Sequence, residues 1–352
     1  MLSALVACDS RNPPRQGKSV AESMASLLSP HFTVKVTDYD NGCVNVFATR
    51  GSPRILLTAH LDTVPLAAGW TRDPFTLTLE DSRAYGLGAC DIKGGAAAMV
   101  AAALEVRSPA ALLFTTDEEA GTGACVRGFL AEKQEYDLVV VAEPTRCLAV
   151  RNHRGIGTGT LQFSGRGAHS SVAGASAHSA IHHMMRWASA ALELDNALDQ
   201  TLSGGNVTGT RFNIGRVSGG EKTNMIADLA SARFGVRPPP GVDPTRVLRD
   251  FAALAPSAAY AENFFGPALP AAGIDPSVIE RTEKWVRAAG LTDGGTVDFW
   301  TEASLFSEAG YATFVLGPGD IKQAHAADEY VDLAELTRAV DIYRTLLRRE
   351  NT

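Results

Sequence analysis

Short apolar runs that end abruptly in polar residues set the layout of the chain. The first, "PRILLTAH" at residues 53–60, has the continuous aliphatic character of a strand buried on both faces, and Pro65 prevents its continuation past "HLDTVP". Residues 110–116 and 137–142 repeat the pattern. Between the runs, an Ala-rich stretch at 95–106 and a second stretch at 123–132 predict helices. Strands alternating with helices indicate an α/β sheet, and in such sheets ligands bind beyond the carboxyl ends of the strands. At those ends stand His60, Asp62, Glu118, Glu119 and Glu143, with Asp91 in the turn before the Ala-rich helix. His325 follows a further strand expected at 312–316.

Upstream, the pattern predicts a first helix broken at Asn12-Pro13-Pro14, a second at 19–28, a β-like stretch at 32–49 and a half-buried strand at 75–80. After Asn152 the texture changes to a glycine-rich alternating segment. It is followed by a helix at 176–192, strands at 207–217 and 230–236, and a helix at 244–254. This reads as an α+β domain inserted over residues 153–264, with 1–152 and 265–352 as the two segments of the domain it interrupts. Helices at 276–289, 297–309 and 333–348 complete the chain.

At 352 residues the chain is long enough for about two domains. Its 45% hydrophobic and 20% charged residues fit a globular protein, and no apolar run approaches the ~18 residues of a membrane helix, so no membrane partner is expected. The N-terminus lacks the basic start, apolar core and small-residue site of a secretory signal, which makes the expected compartment cytoplasmic. Five scattered cysteines without a C-x-x-C pair read as free thiols. A net charge of −7 with no Lys/Arg stripe argues against a nucleic-acid partner. Gly17-Lys18-Ser19 is not a P-loop, because Asn12 stands where the motif needs its first glycine, and Gly155, Gly157 and Gly159 open no helix as a dinucleotide fingerprint would. His178 and His182 share a helix face with no accompanying carboxylate and read as ordinary surface histidines.

Adjacent acids such as Glu118 and Glu119 in "TTDEEAG" repel, and an isolated pair is ordinarily a solvated loop. A bound metal compensates for the repulsion if one carboxylate ligates it and its neighbour acts as general base on water. Two imidazoles and three or four carboxylates form a nitrogen and oxygen set suited to Zn²⁺, and equally to Co²⁺ or Mn²⁺. No helical H-E-x-x-H is present.

"HLDTVP", "GLGACDIKGG", "TTDEEAG", "VAEPT", "GRGAHSS" and "GPGDIKQAHAADEYV", in this order, resemble the di-zinc deacylase and exopeptidase family. That family includes acetylornithine deacetylase, succinyl-diaminopimelate desuccinylase, aminoacylase and carboxypeptidase G, and the resemblance covers nearly the whole chain. Within the family, "GPGDIKQAHAADEYV" and "FWTEASLF" look most like acetylornithine deacetylases, and "RFNIGRVSGG" with the whole "VDFWTEASLF" looks closer still to the N-acetylcitrulline deacetylases. The resemblance implies a mixed-sheet α/β catalytic domain with an inserted α+β lid through which a homodimer forms. It implies two Zn²⁺ ions and hydrolysis of a small N-acylated amino acid, N-acetyl-L-citrulline or N-acetyl-L-ornithine, to acetate and the free amino acid in arginine biosynthesis. His60, Asp91 and Glu143 would hold one metal, and Asp91, Glu119 and His325 the other, with Asp91 as the bridge. Glu118 would be the general base, and Asp62 would accept a hydrogen bond from the far nitrogen of His60.

The same resemblance makes His169 a donor to the tetrahedral oxyanion, usually from the partner's lid. Asn224 and Arg237 would read the substrate carboxylate, although Ala227 stands where the family often has Pro. Gly317 and Gly319 would let backbone amides approach the ligand, Glu302 would line the pocket, and the Asp91–Ile92 peptide bond is expected to be cis. Two alternatives stand beside this reading. One is a related desuccinylase or small-peptide carboxypeptidase; the other, of a different class, is a metal-free binding or assembly protein. The ornithine or citrulline side chain is left open, since pattern alone does not bring Asp298, Glu302 or Glu308 to it.

Overall fold

The structure, a computed structural model, describes residues 1–14, 16–39 and 42–349. It divides into two compact units. The first comprises Met1–Arg151, Ile274–Gly295 and Thr301–Thr352, and the second Asn152–Gly273 and Thr296–Trp300.

A six-stranded mixed sheet organises the first unit, in the order Thr33–Asp38, Val44–Arg50, Ala110–Thr115, Ile55–His60, Leu138–Val141, Thr313–Val315. The last four strands are parallel to one another, and the first two join them antiparallel at one edge. Ile55–His60, Ala110–Thr115 and Leu138–Val141 are buried at every residue, which is why their sequences are aliphatic rather than alternating. Edge strand Thr33–Asp38 carries no fully buried residue. The Ala-rich helix, Lys93–Glu105, is apolar nearly all round and lies inside, with Ala96, Met99, Val100 and Ala103 in one core with Ala339, Tyr343, Leu346 and Leu347 of helix Leu333–Arg348. Gly94 lets the preceding turn close against the start of this helix, since a Cβ there would lie 2.4 Å from the Ala89 carbonyl oxygen. A smaller three-stranded sheet, Tyr330–Asp332, Arg83–Tyr85 and Thr78–Glu80, takes up the strand expected at 75–80, which begins only at Thr78.

The second unit holds a four-stranded antiparallel sheet, in the order Arg211–Gly219, Leu229–Arg237, Ile156–Ser164, Ala259–Gly266, with helices Ala180–Thr201 and Pro244–Ala253 packed on it. Its core is aromatic: Trp187 packs beside Phe163 and Phe234, and Phe212 stacks on Phe251 at 4.3 Å. The insert expected to end at residue 264 runs on to Gly273, because strand Ala259–Gly266 pairs along Ile156–Ser164. That strand escapes its sequence pattern because a register shift between Glu262 and Phe264 breaks the alternation.

Two expected helices differ as well. The one at 176–192 is a 3₁₀ turn, Ala175–His178, followed by a new helix capped by the Ser179 hydroxyl, and it continues to Thr201 because Leu194, Leu198 and Leu202 extend its apolar stripe. The one at 297–309 shrinks to Ala303–Glu308. Thr296–Val297 pairs instead with Asn152–His153, and the Trp300 indole donates to the Pro267 carbonyl.

Candidate metal centre

Strand register brings the polar residues to one level. His60 lies opposite Thr115, so the chain beyond Thr115 carries Glu118 and Glu119 past the end of the neighbouring strand. Thr58 lies opposite Val141, which places Glu143, two residues further on, at the level of His60. Asp91 comes from the turn ahead of helix Lys93–Glu105 and is followed by a cis peptide bond to Ile92. His325 comes from the loop after Thr313–Val315 and has a left-handed backbone, φ +59°, a conformation that costs a non-glycine residue about 1 kcal/mol or more.

The two oxygens of Asp91 face different histidines. Oδ1 is 3.1 Å from His60 Nε2, and Oδ2 is 3.2 Å from His325 Nε2. His325 Nε2 is also 3.1 Å from Glu119 Oε1, and His60 Nε2 is 3.9 Å from Glu143 Oε1. His60, Asp91 and Glu143 therefore form one group able to hold a metal ion, and Asp91, Glu119 and His325 form another, with the ligand atoms of each group within 4.8 Å of one another. His60, Glu118 and Glu119 form a third grouping. The donor chemistry, imidazole nitrogen with carboxylate oxygen around a shared aspartate, fits a pair of borderline divalent cations.

Electrostatics point the same way. Burial pushes Glu118, Glu119 and Glu143 above the usual carboxylate range, and neighbouring acids add to it. Burial also works against the charge on Asp91, but the hydrogen bonds from His325 and His60 hold it well below that range. The Asp91 and Glu119 hydrogen bonds push His325 up to about 10. Burial disfavours the charged ring of His60, yet Asp62, Asp91 and Glu143 together raise it well above its ordinary value. These shifts mark crowded, buried negative charge that a divalent cation would relieve.

Asp62 departs in part from expectation. The nearer acceptor for His60 Nδ1 is the Asp62 backbone carbonyl at 2.9 Å, with the carboxylate at 3.5 Å. The carboxylate instead accepts from the Glu119 backbone N–H at 3.1 Å and from the Asn12 side chain at 3.0 Å, so it orients the acidic turn as well as the ring. Gly317 and Gly319 offer no free amides: Gly317 N–H donates to the Thr145 hydroxyl and Gly319 N–H to Glu335. Their service is close approach, since a Cβ on Gly317 would lie 2.6 Å from the Glu143 carbonyl oxygen and one on Gly319 2.5 Å from Cys90 Sγ. Glu302 is 1% exposed and accepts from the Thr115 hydroxyl at 2.9 Å, while its other oxygen is buried without a partner. Burial, then the charge of Asp117, push it up to about 8.

His169, Asn224 and Arg237 belong to the second unit. His169 is exposed, pairs through its backbone with Met225 and lies 2.7 Å from the Ser171 hydroxyl, and Ser170 N–H donates to the Asn224 carbonyl, so the first two are neighbours. Arg237 ends strand Leu229–Arg237. Sequence reasoning missed Glu329, whose buried carboxyl accepts three backbone N–H groups of the Asp91 turn. The available signal was an acid placed directly before a short strand, four residues after His325.

Known proteins resemble the chain along its length. The model of peptidase family M20/M25/M40 matches residues 56–349. An N-acetyl-L-citrulline deacetylase of Xanthomonas campestris pv. campestris is 47% identical over 348 residues, 97% of this chain and 94% of the relative. An acetylornithine deacetylase of Salmonella typhimurium is 33% identical over 80% of this chain and 76% of its own length. Among solved structures, an M20 family metallo-carboxypeptidase from Sulfolobus solfataricus shares the fold with a TM-score of 0.79 at 16% identity, covering 99% of this chain and 98% of that one. Aminopeptidase PepT from Bacillus cereus shares it at 0.72 and 19%, covering 100% and 97%.

Proposed function

We propose that this chain, which belongs to peptidase family M20/M25/M40, is a metal-dependent deacetylase that hydrolyses the amide bond of an Nα-acetyl amino acid, N-acetyl-L-citrulline before N-acetyl-L-ornithine, in arginine biosynthesis. The observation that carries the reaction class is the placement of Asp91 between two histidines, with Glu118 grouped with His60 and Glu119. The order of substrates follows the 47% and 33% identities of the two deacetylases.

His60, Asp91 and Glu143 would hold one Zn²⁺, and Asp91, Glu119 and His325 a second, with Co²⁺ or Mn²⁺ as substitutes. When bound, such ions polarise an amide carbonyl and lower the pKa of water. Glu118, raised by burial, takes a proton from the attacking water and passes it to the departing amine as the C–N bond breaks, leaving acetate and the free amino acid. The Asp62 carbonyl and carboxylate fix the His60 ring and the Glu119 backbone. His169 is assigned to the developing oxyanion, with Asn224 and Arg237 reading the substrate carboxylate. The enzyme is proposed to act as a cytoplasmic homodimer; among the described residues no helix is long and apolar enough to cross a membrane.

The test is a panel of N-acetyl-L-citrulline, N-acetyl-L-ornithine, an N-succinyl amino acid and a dipeptide, compared by kcat/KM. The acetyl substrates should lead, citrulline first. A dipeptide or succinyl substrate ahead of both would replace this reading with that activity.

A further inference from the structure

Glu329 is 2% exposed, and its carboxylate accepts three backbone hydrogen bonds from one turn. Oε2 accepts from Gly88 N–H at 3.0 Å, and Oε1 accepts from Cys90 N–H and Asp91 N–H, both at 2.9 Å. The turn is tightly set: Gly88 has φ +79°, and a Cβ there would lie 2.7 Å from Thr63 and 2.9 Å from Lys93. A second tie runs through the backbone. Gly86 N–H donates to the Glu329 carbonyl, and Tyr330–Asp332 then pairs antiparallel with Arg83–Tyr85.

One residue therefore fastens two stretches that each deliver a member of the same donor group, Asp91 from the turn and His325 from four residues upstream. Their side chains meet at 3.2 Å, Asp91 Oδ2 to His325 Nε2. One of the three bonds ends on the backbone N–H of Asp91 itself, so moving the carboxylate moves the shared ligand. We propose that Glu329 is a positioning residue that sets the Asp91 turn and the His325 loop in register to accept one divalent cation; this rests on the metal reading above. A glutamine there has a single acceptor oxygen, and its NH₂ must face at least one backbone N–H. An aspartate keeps both oxygens but falls one methylene short.

The test titrates Co²⁺ into metal-stripped full-length protein, read by calorimetry and by the visible absorption of bound Co²⁺, for the parent, Glu329→Gln and Glu329→Asp. His325→Ala marks which binding step belongs to the Asp91, Glu119 and His325 group. Glu329→Gln should weaken that step by about 10- to 100-fold and change its absorption band, as loss of a partner behind a metal ligand generally does. Glu329→Asp should fall between the two. The metal-free variant should keep the parent's far-ultraviolet circular dichroism. Isotherms and spectra that superimpose on the parent's would overturn the role of Glu329. If Glu329→Gln does not fold, Glu329→Asp decides, and parent-like binding by that variant overturns the role. A parent protein that binds no Co²⁺ would contradict the metal reading itself and this inference with it.

Discussion

At the scale of single residues, one aspartate with its two oxygens turned to two histidines gives the adjacent glutamates distinct work. Glu119 meets His325 directly, whereas Glu118 belongs to the grouping with His60. Glu118→Gln should retain bound metal and lose about 10²- to 10⁴-fold in turnover, checked by metal content and kcat on the same sample. Near-parent turnover, or loss of metal, would move the proton-transfer role elsewhere. Glu302 makes a prediction about pH. Its folded value of about 8 lies above its ordinary 4.5, so the fold favours the protonated carboxyl, and the stability this supplies is present below pH 4.5 and lost as pH rises towards 8. Metal-free Glu302→Gln should therefore unfold near the parent's temperature at pH 4.5 and well above it at pH 8, by a margin of order 2–4 kcal/mol. A margin that does not change with pH would remove the buried-acid account of Glu302.

At the scale of elements, the parallel register does most of the assembly. Pairing of His60 with Thr115 and of Thr58 with Val141 brings ligands from three strand ends to one level. The loop after Thr313–Val315 adds a fourth approach, and Gly317 lets it close against the Glu143 backbone. Because that contact is backbone against backbone, Gly317→Ala should displace Glu143 and weaken metal binding by the His60, Asp91 and Glu143 group, with a stability loss of roughly 1–3 kcal/mol. Titration calorimetry checks it, and parent-like binding would show that the loop yields instead. The strand ends were legible in the sequence because fully buried parallel strands are unbroken aliphatic runs, and a polar residue after such a run is conspicuous. What was not legible depends on contacts remote in sequence. The two glycine amides are engaged by Thr145 and Glu335, and the acceptor nearest His60 Nδ1 is a backbone carbonyl, neither of which leaves a composition signal. Strand Ala259–Gly266 was hidden by its bulge, and helix Ala303–Glu308 is short because Thr296–Trp300 belongs to the other unit.

At the scale of the whole molecule, a catalytic unit interrupted by a second α+β unit separates the metal donors from His169, Asn224 and Arg237 in the chain. If His169 acts across a homodimer, mixing inactive His169→Ala and Glu118→Ala proteins restores activity, since a heterodimer then holds one site with both groups. Activity that stays absent after subunit exchange would place His169 within its own chain. Charge in the metal-free unit has a global readout too. His60, His325, Glu118, Glu119 and Glu143 all hold their protons more tightly than usual, so loading Zn²⁺ at pH 7 should release protons, seen as heats that differ between buffers of unlike ionisation enthalpy. Heats independent of buffer would contradict that proton balance. Metal-dependent deacetylation is tested most directly by acetate release from N-acetyl-L-citrulline by the protein as purified, after a chelator, and after Zn²⁺ is returned. Hydrolysis, its loss and its recovery are expected; hydrolysis untouched by the chelator, or none under any of the three conditions, would rule out a metal-dependent deacetylase.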